Sequence, residues 1–249
     1  MENKLVNMNK VTIKLALPSI MEMFLQTLLG IADTAMVGAI GGYAIAAISI
    51  TDNPIMLMIA VFGALSVGTT ALVARFIGAK NYKDAENTIL QSLFISGIMA
   101  FVFTAFGLIL SKKIVSLMGA EAEVFPYAVK YMRIVLLGLP GLIITFIMSG
   151  ALRGSGDTRT PMIVNGISNI LNIIGNFLLI FESRTITLAL PFLEENITFF
   201  MPGAGLGVTG AGIATTVGRY IATFLILRIL FNSKGDYNLD FNDFKIDKD

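Results

Sequence analysis

Residues 15–39 read LALPSIMEMFLQTLLGIADTAMVGA, an apolar stretch long enough to cross a bilayer that carries two carboxylates, Glu22 and Asp33. An acid at the centre of a bilayer costs roughly 2.5–3.5 kcal/mol on insertion scales. Asp33 follows Glu22 by eleven positions, and at about 100° per residue eleven helical steps return to within roughly 20° of the starting direction. Both acids, with Gln26 between them, therefore share one helical face, which we expect to line a bundle interior or a wet cavity.

The rest of the chain has the composition of a membrane protein. Hydrophobic residues make up 55% of the 249 and charged residues 14%, with a mean hydropathy of +0.78, whereas soluble domains carry about 25% charged residues. Because a helix needs about 20 apolar residues to cross a bilayer, we predict six spans, near residues 15–37, 46–74, 88–111, 127–152, 161–181 and 206–230. The sequence thus predicts an all-α polytopic membrane protein, with a six-helix transmembrane bundle over residues 1–231 and a cytoplasmic linker or tail over 232–249.

Several function classes lose support from the composition. The sequence has no Cys and no His, which excludes thiolate and imidazole metal sites and Ser-His-Asp triads. A net charge of +1 gives no electrostatic support for a nucleic-acid partner. Glu22 and Asp33 lie about 16 Å apart along a helix axis, too far for an acid-base pair. We therefore expect neither an enzyme nor a bound cofactor.

The distribution of Lys and Arg and the positions of proline and glycine predict the topology. Lys and Arg of the predicted connections fall more often on the side of the amino terminus, so both termini are expected in the cytoplasm, with the protein in the cytoplasmic membrane. Thr160 before Pro161 predicts an N-cap and a fifth helix that begins at Pro161. Pro140, flanked by Gly138 and Gly141, predicts a kink inside the fourth span. Residues 182–205 are expected to form the longest outer loop.

The fifth span carries four asparagines at spacings of four, three and four: Asn165, Asn169, Asn172 and Asn176. This spacing places all four on one narrow helical stripe. One interpretation is that the amides join helices; the other is that they line a cavity. We favour the cavity for Asn172 and Asn176, at the expected depth of Asp33, and both interpretations stay open for the other two.

Arg219 is the basic residue that lies well inside a predicted span. It is expected either to extend toward the cytoplasmic headgroups or to pair with Glu22, at a comparable depth. Thr215, in the same small-residue segment, either adds a hydroxyl to the cavity or bonds back to its own helix. The predicted cavity-lining residues are Glu22, Gln26, Asn169 and Arg219.

Four segments together resemble one family, the multidrug and toxic compound extrusion (MATE) transporters. They are LPSIMEMFLQTLLGIADTAMVGAIGG (17–42), LVARFIGAKNYKDAE (72–86), ALRGSGDTRTPM (151–162) and GAGLGVTGAGIATTVGRY (203–220). They occur in the order of the family's amino-terminal lobe. The resemblance implies an antiporter that exports small cationic or amphipathic organic compounds, driven by Na+ or H+.

The resemblance also implies roles for individual residues. Asp33 matches a first-helix acid that takes part in cation coupling, Asn172 matches a polar residue of the same site, and Thr215 matches a sixth-helix hydroxyl. Asn176 is a departure, because one branch of the family has Asp there. No metal site is expected beyond Na+ at Asp33, and the cation-coupling residues are thus predicted to be Asp33, Asn172, Asn176 and Thr215.

Length is the second departure from the family pattern, which has twelve spans in two six-helix lobes. We expect this chain to be a truncated product rather than a half-transporter that pairs with another copy, and in either case to need a second lobe.

Two rival functions remain. A lipid-linked precursor flippase of similar architecture would need a more cationic interior than Arg219 provides, and a membrane-embedded enzyme would need paired catalytic groups at membrane depth.

Overall fold

A computed structural model describes residues 2–188 and 197–232, with side chains over 12–185 and 200–232. Within these residues the chain folds into seven helices and a two-stranded sheet. The elements are α1 (Glu2–Gly38), α2 (Gly42–Gly78), α3 (Tyr82–Leu117), α4 (Phe125–Leu137), α5 (Leu139–Gly154), α6 (Arg159–Ile180), β1 (Glu182–Leu188), β2 (Ile197–Ala204) and α7 (Val208–Asn232). The predicted tail after Asn232 lies outside the described residues.

The six predicted spans correspond to these helices. In the described part of the chain, α1, α2, α3, α6 and α7 are each long and apolar enough to cross a membrane, and α4 with α5 forms a sixth span bent by 46°. The bend lies at Gly138, just before Pro140 in the first turn of α5. Proline has no N–H to continue the hydrogen bonding of the preceding helix, so the predicted kink is confirmed. The all-α membrane fold is confirmed with it.

The outer segment after α6 is more regular than the sequence indicated. Strands β1 and β2 form an antiparallel hairpin where a loop was expected. Thr185, Ile186 and Thr187 are β-branched, a side-chain type that favours strands. At the other strand, Gly203 lies so close to the carbonyl of Phe181 that a Cβ there would collide with it.

The start of α6 also differs from the prediction. The helix begins at Arg159, before Pro161, with Thr158 and not Thr160 at the N-cap position; the side chain that caps the helix is that of Asp157, one residue earlier. The Asp157 carboxylate accepts the backbone N–H groups of Arg159 at 3.1 Å and of Thr160 at 3.0 Å. A carboxylate satisfies these free N–H groups and also interacts favourably with the positive end of the helix dipole.

Packing leaves α1 at the edge of the bundle. The tightest core lies along α4 and α5, where Met132, Leu136, Ile143 and Ile147 are fully buried. Helix α1 packs chiefly against α6 and only lightly against α2 and α7, and its other face exposes large apolar side chains that suit lipid. The position of Asp33 therefore depends mainly on how α1 contacts α6.

Candidate functional site: a polar cavity inside the bundle

A cavity of about 420 Å³ lies between α1, α2, α6 and α7, with the α4–α5 span forming part of its wall. Its polar lining is unusual for a membrane interior, because intramembrane polar groups are costly and tend to mark pathways. The polar lining residues are Gln26, Asp33, Thr34, Ser49, Asp52, Tyr131, Thr145, Asn165, Ser168, Asn169, Asn172, Asn176, Thr215 and Arg219. Of the site residues predicted from sequence, Glu22 alone is absent from this lining.

Asp33 is held by amides from α6. The Asn176 side-chain nitrogen donates to Asp33 Oδ1 at 2.6 Å and to Asn172 Oδ1 at 3.1 Å. Asn172 in turn donates to the hydroxyl of Thr215 on α7 at 3.1 Å, while that hydroxyl donates back to the carbonyl of Ala211 at 3.0 Å. The four predicted coupling residues thus form one hydrogen-bonded chain across three helices.

The Asn172 amide satisfies its neighbours when it is turned from the orientation above. In the orientation above, its oxygen faces Asp33 Oδ1, and the two acceptor oxygens have no proton between them. When the amide is turned, its nitrogen donates to Asp33 Oδ1 at 3.0 Å and its oxygen accepts from Thr215 Oγ1 at 3.1 Å. The turned orientation therefore suits an ionised Asp33, since an ionised carboxylate accepts and does not donate.

Two amide atoms of the asparagine stripe have no partner among the described residues. They are Asn176 Oδ1 and Asn169 Nδ2, both fully buried. A buried polar atom without a hydrogen bond is destabilising by about 1–3 kcal/mol. Asn176 Oδ1 is thus an oxygen that is available to accept a hydrogen bond or to bind a cation, on a residue that already contacts Asp33.

Glu22 lies in a different environment from the one predicted. It is buried, but its partner is Arg153 at the end of α5, with Oε2 3.4 Å from Nη1, and not Arg219. Its other oxygen accepts from the Asn165 side-chain nitrogen at 2.6 Å. The pairing with Arg219 was wrong because Arg219 lies on α7, where its guanidinium donates to the carbonyl of Val135 at 3.3 Å. Glu22 therefore joins helices at the end of the bundle near Arg153 instead of lining the cavity.

The two acids of α1 contact α6 in the same register. Glu22 bonds to Asn165 and Asp33 bonds to Asn176, and both pairs are separated by 143 positions. The eleven-residue spacing noted on α1 is thus matched by an eleven-residue spacing on α6. Asn165 and Asn169 also line the cavity, so Asn165 joins helices and borders the cavity at once.

Two ionisable residues of this cavity, Asp52 and Tyr131, were not predicted from the sequence. Asp52 lies inside the predicted span 46–74, just before its longest uncharged run, and its carboxylate is exposed to the cavity. An acid inside a predicted span is the same signal that pointed to Asp33. Tyr131 on α4 is 6% exposed, and no periodicity in the sequence distinguishes it from a core residue.

These features describe a polytopic helical membrane protein with a polar cavity between its helices, the general architecture of a membrane transporter. The model of the MatE family matches residues 18–178. This chain belongs to the MatE family.

Named relatives agree with that assignment. A probable multidrug resistance protein NorM of Thermotoga maritima is 32% identical over 222 residues, covering 89% of this chain and 44% of that protein. An FAD transporter of Shewanella oneidensis is 29% identical over 174 residues, covering 69% of this chain and 38% of the transporter. The chain thus spans less than half the length of these curated relatives.

A solved structure gives the same relation. A MOP superfamily transporter from Pyrococcus furiosus, described as having a binding pocket of reverse polarity, superposes with a TM-score of 0.82 at 28% identity. The match covers 96% of this chain and 48% of that one. The seven helices described above therefore correspond to about half of a MATE-type transporter fold.

Proposed function

We propose that this chain supplies the amino-terminal lobe of a cation-coupled antiporter that exports organic compounds across the cytoplasmic membrane. The observation that carries the proposal is Asp33, a carboxylate inside the bundle that is bound by amides and not by a basic side chain. A carboxylate at bilayer depth without a fixed cationic partner is suited to take a mobile one, H+ or Na+. The names of the relatives, a probable multidrug resistance protein and an FAD transporter, support transport of organic compounds.

The Asn172 amide gives the coupling site two states. With Asp33 ionised and vacant, the amide nitrogen faces the carboxylate and donates to it. When a proton lies between the Asp33 and Asn172 oxygens, or when both oxygens bind Na+, the opposite orientation is stabilised, because the cation then separates two oxygens that otherwise repel each other. In that state the Asn172 nitrogen donates to Thr215. Occupancy on α1 is thereby transmitted through α6 to α7.

The donor atoms near Asp33 suit a hard cation. They are carboxylate, amide and hydroxyl oxygens, the ligand types preferred by hard metal ions. The unpartnered Asn176 Oδ1 adds one oxygen ligand for the cation when its side chain turns toward the site. Na+ and H+ coupling therefore use the same residues and differ in the ion that must be supplied.

The transport pathway needs a second six-helix lobe, because the chain spans less than half the length of its curated relatives. The two lobes of such a transporter are related by an axis along the membrane normal when each has an even number of spans. In this arrangement both termini of the chain lie in the cytoplasm, as the distribution of Lys and Arg indicates.

The charges that line the cavity argue against the alternative function of a lipid flippase. A site for lipid-linked anionic head groups requires a net positive cavity. The charged residues that line the described cavity are two acids, Asp33 and Asp52, and one base, Arg219. The charge balance therefore favours compounds that carry a positive group.

The coupling site is tested by ion-dependent stability of the purified chain in detergent. A ligand at 100 times its dissociation constant stabilises the folded state by about 2.7 kcal/mol. We expect the wild-type chain to be more stable in NaCl than in KCl of equal ionic strength if Na+ is the coupling ion, and to respond to pH instead if H+ is. Asp33→Asn should lose the response, whereas Glu123→Gln, which removes an exposed carboxylate before α4, should keep it.

Export is tested in proteoliposomes loaded with ethidium, an organic cation, under an imposed Na+ or H+ gradient. The full pathway is assembled either from copies of the chain at high density or with its second lobe. Efflux that follows one gradient in wild type and in Glu123→Gln, and that disappears in Asp33→Asn, supports the proposal. Gradient-driven efflux that survives Asp33→Asn contradicts it.

A further inference from the structure

Asp52 and Arg219 form a second pair of charges in the cavity that contains Asp33, and Asp52 also interacts electrostatically with Asp33. Asp52 on α2 and Arg219 on α7 both line this cavity, and they interact electrostatically. Asp52 and Arg219 are not joined by an ion pair within 4.0 Å, in contrast to Glu22 and Arg153. The Asp52 carboxylate is exposed to the cavity and makes no hydrogen bond with the described residues. Both groups thus retain capacity to bind a ligand.

The bend between α4 and α5 fixes Arg219 in place. At the end of α4, the backbone carbonyls of Ile134 and Val135 accept the N–H of Gly138, and each carbonyl oxygen has a second lone pair that can accept a bond from α7. Thr216 donates to Ile134 at 2.9 Å, Arg219 to Val135 at 3.3 Å and Tyr220 to Leu137 at 2.6 Å. The bond to Val135 uses one of the five N–H donors of a guanidinium, so the group is anchored and most of its donors remain available.

The charge balance of the cavity indicates what such a pair binds. Its charged lining residues are Asp33, Asp52 and Arg219. Once a coupling cation neutralises Asp33, Asp52 and Arg219 remain as one negative and one positive group. A guanidinium binds a carboxylate through two parallel hydrogen bonds, and a free carboxylate binds an ammonium. A volume of about 420 Å³ lies within the usual range for small-molecule pockets, about 300–1,000 Å³.

We propose that Asp52 and Arg219 form a substrate subsite that selects zwitterionic organic compounds, with the ammonium at Asp52 and the carboxylate at Arg219. The inference rests on the proposed function, because it assigns Asp33 to the coupling ion and leaves the other two charges for the substrate. A simple organic cation satisfies Asp52 but leaves Arg219 uncompensated. An organic anion does the reverse.

The absence of Trp from the sequence allows a direct binding assay. Tryptophan, tryptamine and indole-3-propionate share one ring and carry respectively both charges, the ammonium alone and the carboxylate alone. Their indole fluorescence and its anisotropy report binding to the purified chain in detergent, with protein-free micelles as the blank. We expect tryptophan to bind at least about tenfold more tightly than either single-charge probe, since each charged contact is worth that much.

Two substitutions separate the roles of the charges. Arg219→Gln should weaken tryptophan and indole-3-propionate about tenfold or more and leave tryptamine unchanged. Asp52→Asn should weaken tryptophan and tryptamine and leave indole-3-propionate unchanged. If a single variant fails to fold because it leaves one charge uncompensated, the double variant Asp52→Asn/Arg219→Gln removes both, and its affinities for the three probes should converge. Glu123→Gln is the matched control and should bind all three as wild type does.

Three results would overturn the inference: tryptamine binding as tightly as tryptophan, variant affinities equal to wild type, or no binding of any probe. Because every variant retains Asp33, failure here is distinct from failure of the proposed coupling. A wild-type chain with an intact Na+ or H+ response and no charge preference overturns the zwitterion subsite alone. A clear preference without any ion response overturns the coupling site alone.

Discussion

The link between Glu22 and Arg153 yields a quantitative prediction. Their charged atoms are 3.4 Å apart, which at an effective dielectric constant of about 20 corresponds to a gross attraction of about 5 kcal/mol. Desolvation offsets part of it, because the Glu22 side chain is 9% exposed and that of Arg153 is 27% exposed. We therefore expect a net coupling free energy of about 1–3 kcal/mol, within the range measured for contacting residues.

The measurement is a double-mutant cycle with Glu22→Gln, Arg153→Met and the double variant. Gln at position 22 keeps an acceptor for the Asn165 amide, and Met keeps the apolar stem of the arginine. Unfolding of the purified chain in mixed micelles with increasing SDS, followed by circular dichroism, gives each free energy. Arg159→Met, the removal of an exposed arginine on the same side, should change stability by no more than about 0.5 kcal/mol.

A coupling free energy below about 0.5 kcal/mol would refute the assigned ion pair. The same cycle with Arg219→Gln in place of Arg153→Met tests the pairing that the sequence suggested. Coupling between Glu22 and Arg219 that exceeds the coupling to Arg153 would contradict the helix arrangement described above.

Three further predictions concern the scaffold and use the same unfolding assay. Gly150→Ala should destabilise the fold by about 1–3 kcal/mol, because its Cβ would lie 2.7 Å from the Ser66 carbonyl oxygen. Gly68→Ala, with open space around it, should instead stabilise the fold by up to about 1 kcal/mol. Equal effects of the two substitutions would contradict the tight packing of α2 against α5. Ser149→Ala should leave stability unchanged or raise it, since the buried Ser149 hydroxyl has no partner among the described residues, and a clear loss would reveal a bond. Asp157→Ala should cost about 0.5–2 kcal/mol through loss of the α6 cap, and a neutral result would contradict that cap.

The fold could be predicted from sequence because its determinants are local. Long apolar runs define the membrane helices, and Pro140 between glycines defines the bend. The hairpin after α6 was harder to predict because its strands are short and close to a membrane helix, so hydropathy gave no contrast. The α6 cap was misplaced by two to three residues because Asp157 and Thr160 are both good capping residues, and backbone geometry decided between them.

The candidate site was predictable where one helix carried the information, and less so where two helices had to meet. The shared face of Glu22 and Asp33 followed from helical periodicity, as did the stripe of asparagines on α6. The partner of Glu22 depended on whether α5 or α7 lay beside the end of α1, which no periodicity reports. Asp52 was not predicted because it directly precedes the uncharged run 53–74 and so resembles a residue at the end of a span.

Under the proposed function, the two carboxylate–amide hydrogen bonds between α1 and α6 limit how far ion binding can move α1. Each is a hydrogen bond between a carboxylate and an amide at 2.6 Å, and bonds to charged groups contribute about 1.5–3 kcal/mol. If occupancy of Asp33 weakens only its own contact, α1 pivots about the Glu22 contact, which stays closed. A shift from 1:99 to 99:1 between two arrangements needs about 5.5 kcal/mol, more than one such bond supplies. Under the proposed function, ion binding at Asp33 would therefore change the balance between two positions of α1 without completing the transition. Under the proposed function, the remaining free energy comes from the substrate at Asp52 and Arg219, which links the two ligands through one helix bundle.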